Sequence, residues 1–162
     1  MQQWDFDEQV AKNEYGTFDT RTEGNLTTLL PIAQRYARKW LRDSVLPWAA
    51  KNGLTVKIIG GTRTYAEQDA LYAQGRTTKG AKITNAKGGY SLHNFCVAFD
   101  IGIFQGSKYL ESDTQYKKLY LACGAPYAFE WGGNWQSIVD TPHYQYNAFG
   151  SSASAIRAKF LA

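Results

Sequence analysis

The chain contains two histidines, His93 and His143, and each has a carboxylate within useful reach along the sequence: Asp100 follows the first and Asp140 precedes the second. Imidazole nitrogen and carboxylate oxygen are both zinc ligands, and a catalytic zinc takes three protein ligands with one position left open. His93, Asp100 and His143 would supply two neutral ligands and one anionic ligand, keeping net positive charge at the site. A further carboxylate outside that set would then take the proton of an attacking water. Asp140, three residues before His143, stands where it could do so. The alternative from spacing alone is a solvated aspartate and two ordinary histidines, and both readings stand at this point. Nucleophile chemistry is weaker. Neither Cys96 nor Cys123 has a histidine left over as its base, and no G-x-S-x-G turn is present.

The elements that must position these residues can be read from periodicity. VAFDIGIF (97–104) alternates as a strand, with Asp100 on the face of Ala98 and Gly102, a floor cleared for a ligand or metal. LTVKIIGG (54–61) is a second strand, and AFEWGG and TPHYQYN are strands flanking a turn. Leu26, Leu29, Leu30, Ala33, Tyr36, Ala37, Trp40 and Leu41 recur at helical spacing, predicting a helix capped by Asn25 and kinked or ended at Pro47. Thr64 and Glu67 have capping-box spacing, so a short helix runs from Tyr65 to about Gln74. Residues 75–90, rich in Gly, Lys and Thr, form a long surface loop of the kind that carries function. Ser112 starts a further helix ending at Cys123, and a last one lies near Ala153–Phe160. Residues 1–24 are polar and read as an N-terminal arm, 25–150 as the catalytic core and 151–162 as a C-terminal helix. The expectation is one α+β domain, a small antiparallel sheet holding the site in an open cleft, with helices packed on one side.

Composition sets the outer bounds. The 162 residues are 44% hydrophobic and 20% charged, which excludes a disordered or fibrous chain. Aromatics reach 15%, with 5 Trp and 11 Tyr, an excess that suits a ligand groove as well as a core. The formal charge of +4 is mild and scattered, so acidic partners are allowed but not demanded. Two cysteines make no disulfide framework. No apolar run approaches a membrane span, and MQQWDFDEQV lacks the layout of a secretory signal. The reading is a product made in the cytoplasm that reaches any outer target by release or dedicated secretion.

SLHNFCVAFD (91–100) resembles the S-x-H-x-x-G-x-A-x-D motif of the zinc peptidases that include D-alanyl-D-alanine carboxypeptidases and phage L-alanyl-D-glutamate endolysins. DTPHY (140–144) is similar to that family's second motif, GGTRTYAEQ (60–68) to its upstream arginine segment, and EWGGNW (130–135) to the endolysin-like branch. The resemblance implies one zinc per chain on His93, Asp100 and His143, with Asp140 as general base and then acid. It implies that Arg63 steadies a carbonyl oxygen or substrate carboxylate, and that Ser91 and Gln68 orient substrate. Glu130 is the rival base, read as a residue that supports the ligands from behind or lines the groove. Of Trp131 and Trp135, both core or groove candidates, one should be core; Trp131 is carried as a substrate contact. The implied reaction is hydrolysis of L-alanyl-D-glutamate in the peptidoglycan stem by a monomer, with no nucleic acid and no membrane insertion. D-alanyl-D-alanine hydrolysis and a non-catalytic wall-binding module are the alternatives. Cys96 stands where the family motif has glycine: either it is a small thiol in a conformation that glycine suits, or it is a fourth ligand closing the site.

Overall fold

The computed structural model describes residues 3–160. Its sheet has strand order β1-β2-β5-β4, with β3 also paired to β2, and every pairing is antiparallel. These strands are β1 (Thr55–Gly60), β2 (Ala98–Gln105), β3 (Lys108–Tyr109), β4 (Phe129–Trp131) and β5 (His143–Tyr146). The alternation expected for 97–104 is present. Phe99, Ile101 and Ile103 are fully buried against the helices, and Asp100 points the other way. Burying side chains of this size stabilises by about 1.5–3 kcal/mol each.

The helical layer comprises α3 (Pro31–Trp40), α4 (Leu46–Lys51) and α6 (Asp113–Cys123). Leu29, Ala33, Ala37, Trp40 and Leu41 are buried along the first of these runs, as the periodicity required, and Val45 continues the buried face. Its details differ from expectation. Asn25 caps nothing and lies inside α2 (Thr20–Leu26), where its amide donates to Ile58 O at 2.9 Å. Pro31 is the residue that opens α3. Nor does Pro47 end the run: a π turn over Leu41–Val45 hands α3 to α4, Leu46 N–H reaching back to Leu41 O. A wide turn shifts the hydrogen-bond register, and α4 restarts with Pro47 in its first turn, where a missing N–H costs nothing.

The N-terminal arm is ordered as two helices. Residues Gln3–Tyr15 form α1 and Thr20–Leu26 form α2, capped by Asp19, whose side chain accepts from Thr22 N. Glu14 pairs with Arg35 at 3.0 Å, and Glu23 pairs with the fully buried Arg38 at 2.6 Å. Ala11 and Leu26 are buried beside these pairs, but the charge and hydrogen-bond contacts to α3 leave no hydrophobic period to read. Residues 1, 2, 161 and 162 of the expected terminal segments lie outside the described residues.

Other expectations hold closely. α5 (Tyr65–Ala73) carries the full capping box of Thr64 and Glu67, Ser112 caps α6, and α7 spans Ala153–Phe160. Residues 75–90 contain no helix or strand beyond one isolated bridge, Gln74 to Thr78.

Candidate active site

Sheet register brings the site together. Asp100 on β2 lies directly opposite His143 on β5, and Gly60 of β1 faces Asp100 from the other side. Directly opposed residues of an antiparallel pair have Cβ atoms about 5 Å apart, so the two side chains must meet. His93 arrives from a 3₁₀ turn, Leu92–Asn94, whose N-cap Ser91 accepts from His93 N through its hydroxyl. That turn is clamped to the segment after β1: Arg63 N donates to His93 O at 2.7 Å, and Asn94 Nδ2 donates to Arg63 O at 3.0 Å.

Each imidazole is held from behind. His93 Nδ1 lies 2.9 Å from Gly61 O, and His143 Nε2 lies 2.8 Å from Gln145 Oε1. The amide of Gln145 is itself oriented, since its Nε2 donates to Ser151 O at 3.0 Å. A carbonyl partner requires each of these nitrogens to carry the proton, so the opposite nitrogens present lone pairs. Those lone pairs converge. His93 Nε2 and His143 Nδ1 are 3.1 Å apart, and each is 3.2–3.3 Å from an Asp100 oxygen. Two lone pairs and a carboxylate facing one point repel unless a cation lies among them. The same pull acts on the proton: burial works against charge on His143, yet Asp100 raises its pKa overall. Burial likewise opposes the Asp100 carboxylate, but the two imidazoles hold its pKa well below the usual carboxylate range. The three ligand atoms lie within 4.8 Å of one another, the nitrogen and oxygen set that zinc takes. Among the described residues Cys96 is not part of this group, so the reading of it as a fourth ligand is not met.

Gly61 is required by space. A Cβ there would stand 2.7 Å from Asn25 O and 2.5 Å from Thr28 Oγ1, so any side chain would push away the carbonyl that orients His93. Cys96 has φ of 61°, the left-handed backbone anticipated for a position where glycine is usual.

Arg63 reaches the cluster. Its Nη2 is 3.2 Å from Asp100 Oδ2 and its Nη1 donates to Gln68 Oε1 at 3.1 Å. Asp140 borders the same cleft, and its pKa is raised by burial and by the nearby Asp100 charge. The cleft encloses about 990 Å³, and its lining draws Arg63, Lys82 and Tyr90 from one stretch of chain and Trp135, Ile138 and Asp140 from another.

Three of the expected site residues are not in the lining of the cleft. Gln68 is fully buried, its Nε2 donating to Ala86 O at 2.8 Å, so it braces Arg63 and the 75–90 loop and does not touch the cleft. Trp131 is core: it is 5% exposed, stacks on Tyr120 at 4.0 Å and donates to Thr141 O. Glu130 stands opposite Gln145, on the same sheet face as the cluster, but its carboxylate is taken up by Trp135 Nε1 and by Asn147 Nδ2, the latter at 2.7 Å. The groove tryptophan is Trp135, its ring 5.0 Å from that of His143. The sequence reading missed Gln145 altogether. Its signal was position, two residues after His143 and therefore on the same strand face.

Comparison with known proteins agrees with this arrangement. A family profile described as D-alanyl-D-alanine carboxypeptidase matches residues 84–146. The sequence is 37% identical over 126 residues to the peptidoglycan L-alanyl-D-glutamate endopeptidase CwlK of Bacillus subtilis (strain 168), covering 72% of each chain. It is 30% identical over 146 residues to the L-alanyl-D-glutamate peptidase of Listeria phage A118, covering 83% of this chain and 46% of that longer protein. The fold resembles that of the L-Ala D-Glu endopeptidase ChiX of Serratia marcescens, with a TM-score of 0.55 at 23% identity over 80% of this chain and 89% of that one. With the histidine and aspartate cluster inside the matched segment, the chain belongs to the D-alanyl-D-alanine carboxypeptidase and L-alanyl-D-glutamate endopeptidase family of peptidases.

Proposed function

We propose that this chain is a single-domain zinc endopeptidase that hydrolyses the L-alanyl-D-glutamate bond of the peptidoglycan stem. The observation that carries the reading is the convergence of His93 Nε2, His143 Nδ1 and Asp100, each histidine pre-oriented by a carbonyl behind it, at the floor of an open cleft. The relatives named for cleavage of that bond supply the choice of substrate. Among the described residues no helix is long and apolar enough to cross a membrane.

His93, Asp100 and His143 would hold the metal. Bound there, zinc would supply Lewis acidity toward the scissile carbonyl. The remaining work belongs to side chains of this chain. Asp140 takes the proton of the attacking water on a carboxylate oxygen and returns it to the departing amine nitrogen. A raised pKa suits both halves of that transfer. Arg63 has N–H groups beyond the two engaged by Asp100 and Gln68, and these donate to the oxygen on which negative charge develops. Trp135 forms a wall beside His143 that holds the peptide and displaces water.

Mass spectrometry of muropeptides after digestion tests the reading. New amino termini on D-glutamate are the expected result. Release of terminal D-alanine alone would replace it with the carboxypeptidase reading, and an unchanged digest would leave only a wall-binding module.

A further inference from the structure

The 75–90 loop lacks regular structure, yet it is held at successive points. Gln74 Nε2 donates to Ala81 O at 3.0 Å, Arg76 Nη1 to Thr84 O at 3.1 Å, and Gln68 Nε2 to Ala86 O at 2.8 Å. Three side chains from α5 and the turn after it thus grip three carbonyls within six residues. Gly75, at φ of 77°, lets that turn approach so closely that a Cβ would stand 2.6 Å from Lys82 N. The chain at Lys82 is therefore mounted from both sides, and a mounted loop beside a catalytic cluster is a selectivity element.

The charge that this mount presents is specific. The cleft has two cations in its lining, Arg63 and Lys82, and two carboxylates, Asp100 and Asp140. Arg63 is already paired with Asp100. Lys82 is exposed and makes no ion pair or side-chain hydrogen bond among the described residues. No aspartate or glutamate occurs between Asp69 and Asp100 in the sequence, so nothing on the loop itself neutralises it. A substrate carboxylate entering the cleft meets its free counter-charge at Lys82.

We propose that Lys82 is a specificity residue that binds the free α-carboxylate of the D-glutamate residue following the scissile bond, and that the enzyme thereby discriminates against stems in which this group is amidated. The inference rests on the L-alanyl-D-glutamate reading above. In such stems D-glutamate continues the chain through its side-chain carboxyl, so its α-carboxyl is left as a charge or an amide. An ammonium contacts the carboxylate by a charge-assisted bond that the amide cannot reproduce.

The test uses the zinc-loaded full chain and a pair of synthetic stem peptides identical except that the D-glutamate α-carboxyl is free or amidated. Wild type should favour the free acid by about tenfold or more in kcat/KM. Lys82→Gln should lose that preference by slowing on the free acid while its rate on the amide stays near wild type, and Lys82→Arg should restore part of it. Lys79→Gln removes the same charge from the same loop, outside the cleft lining, and should leave the ratio unchanged. Equal wild-type cleavage of both peptides overturns the proposal alone. So does an equal loss on both in Lys82→Gln, or a Lys79→Gln effect of the same size. If wild type cuts neither peptide at L-alanyl-D-glutamate, the functional reading itself falls.

Discussion

Two carboxylates compete for the role of proton carrier, and their surroundings separate them. Asp140 borders the cleft with a raised pKa and with no hydrogen-bond partner for its carboxylate among the described residues. Both oxygens of Glu130 are occupied by Trp135 and Asn147. Asp140→Asn should keep its zinc stoichiometry, because Asp140 is outside the ligand group, and should lower turnover by at least ~10². Glu130→Gln should cost far less. Its amide oxygen still accepts from Trp135, and Asn147 can rotate its Oδ1, which has no partner, toward the new NH₂. Kinetics of both variants alongside metal analysis decide the matter: an active Asp140→Asn with an inactive Glu130→Gln would exchange their roles.

At the scale of elements, the site depends on how short segments meet. One such join is the turn from the His93 segment into β2, where Cys96 sits at φ of 61° while its carbonyl accepts from Leu30 N at 2.9 Å. An L-residue with a side chain held there stores roughly 1–2 kcal/mol. Glycine relieves that strain but loses more freedom on folding and gives up the packing of a small thiol. Cys96→Gly should therefore melt at or slightly above the wild-type temperature with its bound zinc unchanged, as followed by calorimetry and metal analysis. Loss of the metal in this variant would put the thiol in the coordination sphere and close the catalytic reading.

Across the whole molecule, one buried charge pair joins α2 to α3. Arg38 is fully buried and is met by both Glu23 oxygens, at 2.6 and 2.8 Å, and by Gly16 O at 3.2 Å. Glu23→Gln leaves a buried guanidinium without its counter-charge and should cost about 2 kcal/mol or more at neutral pH. Burial alone would raise the Glu23 pKa, but the Arg38 hydrogen bonds outweigh it and the net shift is downward from 4.5. A carboxyl depressed in the folded state contributes stability that is present above its unfolded value and lost as pH falls through the folded one. The stability gap between wild type and Glu23→Gln should therefore narrow below about pH 4.5. Urea titrations at pH 7 and pH 3 measure it, and a gap of equal size at both would refute the pairing as its origin.

What the sequence determined by itself was local. The His93 and Asp100 spacing, the alternation of 97–104, the Thr64 and Glu67 cap, the Ser112 cap and the α7 span are encoded within a few residues, and each appears in the structure. What only tertiary structure decided was which of several equivalent side chains met which partner. Trp131 and Trp135 sit in one short segment, yet β4 buries the first in the core while the 3₁₀ turn Gly132–Asn134 carries the second to His143. Gln68 looks like a solvated helix residue until the 75–90 loop closes over it and supplies Ala86 O. Gln145 and Gly61 acquire their roles only when β5 and β1 flank β2 and bring a carbonyl behind each histidine. The N-terminal helices escaped notice because they bury few apolar residues, Ala11 and Leu26 among them, and are joined to α3 through Glu14, Glu23 and their arginine partners. Hydrophobic period reports which face of an element is buried; it carries no information about polar contacts made between residues far apart in the chain.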